Sequence, residues 1–378
     1  MIPHLIADDK IPFLKGVLEP FTDIRYLPGD AIDHLHASRA QALLVRTRTL
    51  CDERLLHKTP VTFIGSATIG YDHIDTRYCE TNHIQWTNAP GCNAFSVVQY
   101  IASALFTLSR RNGFHLKNKV LGIIGAGHVG SKVEQLARIL GMQVLLNDPP
   151  RERLEGPGKF TGLNTLLKES DMVTLHVPLN LHGVDNTHHL IGPGQIRMMN
   201  PQSWLINSSR GAVVDQRALT VALMEKKLAG AVLDVWENEP DVDTGLLSVV
   251  DIATPHIAGY SADGKANGTA MVVQALALHF GLPLRGWFPP DLPLPQETLI
   301  RIDGRGKTTE EIVGEAVIKS YDIQQDDARF RSDPGSFEQQ RGAYPLRREF
   351  PVFQVRMTNS RPESVEILKN LQFKTTPI

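Results

Sequence analysis

Cysteine is scarce, charge is nearly balanced and no apolar run is long, and each shortage excludes something. The 378 residues include only Cys51, Cys79 and Cys92, with no metal-ligand spacing among them. An odd, sparse set argues against a disulfide framework or a metal site. It fits free thiols in a reducing cytoplasm. The 39 basic side chains are offset by 41 acidic ones, a formal charge of −2, so neutralisation of a nucleic-acid backbone is not expected. The longest apolar stretches, such as Val97–Leu108, are broken by Gln99, Ser103 and Thr107 and are too short to span a bilayer. The first ten residues turn acidic at Asp8 and Asp9 and lack the pattern of a secretion signal. These absences set the expectation of a cytoplasmic protein with no metal, no nucleic-acid partner and no membrane partner.

What is present is ordinary globular composition, 42% hydrophobic and 21% charged, on a chain long enough for two or three domains. Short apolar runs alternate with helix-period segments. Leu5–Ala7, Ala42–Val45 and Val61–Ile64 read as one strand series. Val120–Ile124, Gln143–Asn147, Met172–His176, Trp204–Asn207 and Ala231–Val235 read as a second. Their nearly continuous apolar character fits parallel strands covered on both faces. Helices near Ala94–Arg110 and Gly264–Phe280 would cross between the two series, which makes a hinge an expectation. Gly281–Gln296 holds five prolines and reads as a linker. A tail follows, with strands at Leu299–Asp303 and Val352–Met357 and helices opened by Thr308-x-x-Glu311 and Ser360-x-x-Glu363.

The strongest local signal is Gly125-Ala-Gly127-His128-Val129-Gly130 after the apolar strand Val120–Ile124 and before an amphipathic helix. A glycine motif alone is weak, but this context is what a dinucleotide site requires. The first glycine permits a tight turn, the second a close backbone approach to a pyrophosphate, and the third close helix packing. The helix N-terminus then offers free N–H groups to phosphate. Asp148 closes the next strand, about 20 residues on. A carboxylate there accepts ribose hydroxyls and repels a 2′-phosphate, favouring NAD over NADP, although Arg151 lies nearby.

Three positions near later strand ends offer reactive chemistry: Arg210, Glu239 and His256. An arginine can hold a carboxylate, a histidine can exchange a proton, and a glutamate beside it favours imidazolium. Each also has a bland reading, as a surface ion-pair former, a solvated turn or a loop histidine. Composition alone does not select this trio.

Taken together, the segments Gly125 to Asp148, Asn207 to Asp215, Leu233 to Pro240 and Pro255 to Gly259 closely resemble the D-isomer-specific 2-hydroxyacid dehydrogenases. The resemblance implies a flavodoxin-like substrate domain and a Rossmann NAD domain, with Arg210, Glu239 and His256 as the catalytic set. It implies cofactor contacts at Gly125, Gly127, His128, Val129, Gly130, Asp148, Val177, Ser208, Ser209, Arg210, Asp234 and Gly259. Val177 stands where a threonine is common, which leaves only a backbone contact there. Thr47 (where serine is common), Thr68 and Tyr260 are implied as substrate contacts. Arg46 joins them, with Arg48, because alternating strand positions would put both arginines on one face.

A narrower likeness, over nearly the whole chain, is to a branch of that family with a C-terminal α+β dimerisation domain. Tyr321 to Asp327 and Phe337 to Glu349 carry it. It implies a homodimer and a phosphorylated D-2-hydroxy acid substrate, in a step of pyridoxal 5′-phosphate biosynthesis. The expected domains are 1–93 completed by 258–285, then 94–257, then 286–378. Two rival readings stay open: oxidation of another phosphorylated hydroxy acid such as D-3-phosphoglycerate, and an NAD-sensing regulator without turnover.

Overall fold

The computed structural model describes residues 2–377. It forms two compact units, one running to Asn93 and including Ser261–Pro293, the other comprising Ala94–Tyr260 and the chain from Leu294 onward.

The first unit is built on five parallel strands: β1 (His4–Asp8), β2 (Asp23–Leu27), β3 (Ala42–Val45), β4 (Phe63–Ser66) and β5 (Gln85–Thr87). Their order, β2-β1-β3-β4-β5, is the flavodoxin-like order. The central strand β3 is buried at every position because both its faces are covered. Leu43 and Val45 point into one apolar cluster, Ala42 and Leu44 into another. The helix Ala262–Phe280 closes the second face with Val272, Val273 and Leu276. Ser261 caps its start by accepting the Gly264 N–H, and Gly281 ends it at φ +70°.

The second unit holds a six-stranded parallel sheet: β6 (Val120–Ile124), β7 (Gln143–Asn147), β8 (Met172–Leu175), β9 (Trp204–Asn207), β10 (Gly230–Leu233) and β11 (Ile252–Ala253). The order is β11-β10-β9-β8-β6-β7, so the winding reverses between β6 and β8. That switch point is where open α/β sheets place a ligand. At the β7 edge the chain returns at Thr161, whose N–H donates to the Leu146 carbonyl at 2.6 Å.

The tail adds three parallel strands, β12 (Leu299–Asp303), β13 (Gln354–Thr358) and β14 (Lys374–Pro377), in that order. The Thr308–Glu311 capping box forms as read from the sequence. The Ser360 cap does not: the helix runs Pro362–Asn370, with Arg361 at the cap position making no side-chain bond. Proline's fixed φ suits the first helical position, so Pro362 sets the start one residue late.

The tail does not stand apart from the nucleotide-type sheet. The helix Ala94–Asn112 is buried along nearly its full length because it packs against the helices His128–Ile139 and Thr309–Ser320. Residues 286–293, expected with the tail, belong to the first unit, and 258–260 to the second. Gly281–Gln296, read as a linker, carries no helix or strand. Among the described residues no helix is long and apolar enough to cross a membrane.

Candidate active site

At the end of β6 the three motif glycines have three separate physical reasons. Gly125 sits at φ +88°, and a Cβ on it would lie 2.6 Å from the His176 carbonyl oxygen. A Cβ on Gly130 would lie 1.9 Å from the Gly125 oxygen, so the helix His128–Ile139 can pack here only without a side chain. A Cβ on Gly127 would meet nothing within 4 Å. That open space lies at the helix N-cap, where a pyrophosphate would approach. Exposed His128 opens the helix, whereas half-buried Val129 packs into the core. Val177 borders the turn, its Cγ1 2.8 Å from a Cβ built on Gly125.

Asp148 caps the helix Pro149–Glu155. Its Oδ1 accepts the Arg151 N–H at 3.0 Å and its Oδ2 the Ala126 N–H at 2.8 Å. Each oxygen keeps a lone pair for a ribose hydroxyl. Arg151 is committed elsewhere: its guanidinium binds Glu155 through Nε at 2.5 Å and Nη2 at 2.9 Å, and also donates to the Ala126 carbonyl. It is therefore not poised for a 2′-phosphate. Ser208 adds a buried Oγ with no hydrogen-bond partner among the described residues. An open glycine turn, an acidic strand end and an orphaned hydroxyl together fit NAD. Ser209, by contrast, donates its hydroxyl to Asn207 Oδ1 at 2.8 Å.

Arg210, Glu239 and His256, the candidate catalytic residues, follow the neighbouring strands β9, β10 and β11. Buried Asn207, at the end of β9, pins the next turn by donating to the Arg210 carbonyl at 2.9 Å and accepting the Ser209 N–H at 3.0 Å. Arg210 Nη1 donates to the Ser209 carbonyl at 2.9 Å. Gly211 then presses on the loop after β10, since a Cβ there would lie 2.1 Å from the Trp236 carbonyl. In that loop the Trp236 N–H donates to Glu239 Oε1 at 2.9 Å. The other oxygen, Oε2, meets His256 Nδ1 at 2.7 Å. With the carboxylate ionised, Nδ1 carries the hydrogen, which leaves Nε2 to exchange a proton with a substrate. Burial works to raise the Glu239 carboxyl, but the hydrogen bond and charge of His256, the Trp236 N–H and the charge of Arg341 outweigh it and hold it below its ordinary value.

His256 itself sits at φ +55°, a strained conformation for a side-chain-bearing residue. Asp234 holds it there. Its carbonyl accepts the His256 N–H at 2.6 Å, and its carboxylate takes the Ile257 and Ala258 N–H groups, each at 2.8 Å, and the Thr254 hydroxyl at 2.6 Å. Burial pushes the Asp234 carboxyl up against these bonds and the charge of His256. The resemblance implied a cofactor contact at Asp234; its side chain is 1% exposed and turned towards the His256 loop. Half-buried Gly259 and Tyr260 continue this loop.

In the first unit, Arg46, Thr47 and Thr68 lie beyond the carboxyl ends of β3 and β4. The strand-alternation argument for Arg46 and Arg48 fails, because β3 ends at Val45 and the chain enters a turn closed by Thr49 N–H to Arg46 O at 3.3 Å. Arg46 Nη1 donates to the Lys10 carbonyl at 3.3 Å. The Thr68 hydroxyl donates to the Gly70 carbonyl at 2.9 Å.

Sequence reasoning missed three features. His188, His189 and Glu237 cluster within 4.8 Å and could hold a cation; the adjacent histidines were the only signal. Arg347 is 6% exposed, stacks on Tyr321 and donates to Gln99 Oε1 and to the carbonyls of Ser96, Ile257 and Ala258. It thereby ties the tail to the residues following His256. Arg341 lies over the Tyr260 ring, 5.7 Å from its centroid. Both arginines lie in the Phe337–Glu349 stretch that carries the narrower likeness, but no local pattern marks their contacts.

Comparison with known proteins places this geometry. Residues 99–258 match the model of the D-isomer specific 2-hydroxyacid dehydrogenase NAD binding domain, and residues 293–371 match a domain of unknown function (DUF3410). An erythronate-4-phosphate dehydrogenase of Bacteroides fragilis is 45% identical over 355 residues, covering 94% of this chain and 99% of the relative. The chain belongs to the erythronate-4-phosphate dehydrogenase family. Another member, from Azotobacter vinelandii, is 42% identical and covers 97% of this chain and 98% of its own length. Among solved structures, D-lactate dehydrogenase from Aquifex aeolicus, complexed with NAD and lactic acid, matches with a TM-score of 0.60 at 28% identity, covering 77% of this chain and all of that one. The family assignment and the NAD-bound neighbour make the second unit's sheet an NAD-binding domain of an NAD-dependent dehydrogenase.

Proposed function

We propose that the protein oxidises 4-phospho-D-erythronate to 2-oxo-3-hydroxy-4-phosphobutanoate, in pyridoxal 5′-phosphate biosynthesis. The observation that carries this is the Glu239–His256 pair at 2.7 Å beside the Arg210 turn, on a chain of this family. NAD, when bound, supplies the acceptor for the C2 hydride. Asp148, Ser208 and the Gly125–Gly130 turn would hold it. Arg210 pairs with the C1 carboxylate and orients C2. His256 Nε2 takes the C2 hydroxyl proton as the C2–H electron pair leaves, and the C–O bond becomes a carbonyl. Glu239 stabilises the resulting imidazolium. Arg46, Thr47, Thr68 and Tyr260 serve as substrate contacts. The protein acts in the cytoplasm as a homodimer joined through its C-terminal segment, a state that sedimentation velocity measures.

The test is NADH formation by the purified protein with 4-phospho-D-erythronate, beside D-3-phosphoglycerate and a His256→Ala control. A single-turnover arm and a 2-oxo acid acceptor guard against retained NADH. Turnover of the erythronate alone, lost in the control, is the expected result. NAD binding without turnover of either acid would replace the enzyme reading with that of a sensor.

A further inference from the structure

The acid proposed above carries two anionic ends, and Arg210 accounts for one. The short helix Phe337–Gly342 in the C-terminal segment brings a second guanidinium to the loop that holds His256 and Tyr260. Arg341 is clasped between rings, its guanidinium carbon 5.7 Å from the Tyr260 centroid and 5.6 Å from that of Phe337. Tyr260 is itself braced edge-on by Tyr344 at 5.8 Å. Of the five N–H donors of Arg341, one is used among the described residues, Nη1 to Glu338 Oε1 at 3.0 Å; Nε is buried without a partner. Glu338 is 43% exposed, so this ion pair is a weak claim on the guanidinium. A planar fork held rigid by aromatic faces, with unused donors, is suited to a phosphate.

We propose that Arg341 is a substrate-binding residue that recognises the phosphate end of the acid whose C1 carboxylate Arg210 holds. This rests on the substrate reading above. It gives the C-terminal segment a role in specificity: a 2-hydroxyacid dehydrogenase core recognises the hydroxy acid, and the added segment supplies a cation for the far end.

The experiment titrates the NADH-loaded protein calorimetrically with 4-phospho-D-erythronate and, separately, with D-erythronate. Arg341→Met keeps the apolar stem against the rings and removes the charge. Loss of a charge-assisted contact weakens the phosphorylated acid about 10- to 100-fold and leaves D-erythronate within about twofold. Arg341→Lys, which keeps the charge but not the fork, falls between. Glu338→Gln, which removes the competing carboxylate, binds the phosphorylated acid as tightly as the wild type or more so. An equal loss for both acids, no loss for either, or a wild-type protein that does not prefer the phosphorylated acid overturns the proposal. Because binding is read without turnover, a wild-type protein that discriminates the two acids but reduces no NAD overturns the functional reading and leaves the Arg341 contact standing.

Discussion

Glu239→Gln tests the proposed proton path at its most constrained point. The two carboxylate oxygens have two different donors: Oε1 accepts the Trp236 N–H at 2.9 Å, and Oε2 accepts from His256 Nδ1 at 2.7 Å. An amide has one oxygen and one NH2, so it can satisfy only one of them. If the oxygen stays on His256, the loss is the carboxylate's charge. Both side chains are less than a third exposed, at 30% and 22%, so screening by water is partial. A hydrogen bond to a charged group contributes about 1.5–3 kcal/mol, or roughly 10- to 150-fold in rate. If instead the NH2 faces His256, Nδ1 must become the acceptor and the hydrogen moves to Nε2, the nitrogen needed as base. In a serine-protease triad that wrong tautomer costs about 10⁴-fold. Either way kcat/KM falls by at least about tenfold. Single-turnover stopped-flow of NADH formation measures it, with NADH fluorescence titration as a control for intact cofactor binding. A Gln variant within about threefold of wild type, at unchanged NADH affinity, would refute the assignment of Glu239 as partner of the proton-exchanging histidine.

Other expectations follow from the same geometry. Gly130→Ala, whose Cβ would lie 1.9 Å from the Gly125 oxygen, lowers thermal stability by about 1–3 kcal/mol, whereas Gly127→Ala, with nothing within 4 Å, melts like wild type but binds NAD more weakly. Arg347→Met removes its hydrogen bonds to Gln99 Oε1 and to the carbonyls of Ser96, Ile257 and Ala258 and costs at least about 2 kcal/mol in denaturant titration. Because the lowered Glu239 carboxyl is more acidic folded than unfolded, its stabilisation is present above the ordinary carboxylate range and lost as pH falls through the lowered value. The stability gap between wild type and Glu239→Gln therefore closes in acid, which urea titrations across pH measure.

The local signals were legible because their causes are local. The turn from Gly125 to Gly130 and the helix after it are enforced by residues adjacent in the chain, and Asp148 closes the very next strand. Fully buried strands such as β3, β8 and β9 show as apolar runs. The edge strands β2 and β5 do not: they are largely solvated, and their sequences Asp23–Leu27 and Gln85–Thr87 alternate too weakly to register. Arg210, Glu239 and His256 were recognisable as motifs, but nothing in their spacing showed that two loops would bring Glu239 and His256 to hydrogen-bonding distance.

By itself, then, the sequence determined the parallel α/β class and the dinucleotide turn, since each depends on neighbours a few residues away, while Arg210, Glu239 and His256 stood out only through the family resemblance. Tertiary structure alone decided the rest. It turned Asp234 inward to hold His256 in a strained conformation, because a buried carboxylate must collect donors wherever the fold supplies them. It also buried Arg347 among carbonyls some 90 to 250 positions away in the chain and set Arg341 over Tyr260. Hydrogen bonds and cation–ring contacts act over a few ångströms of space, and only the folded chain determines which distant residues share that space.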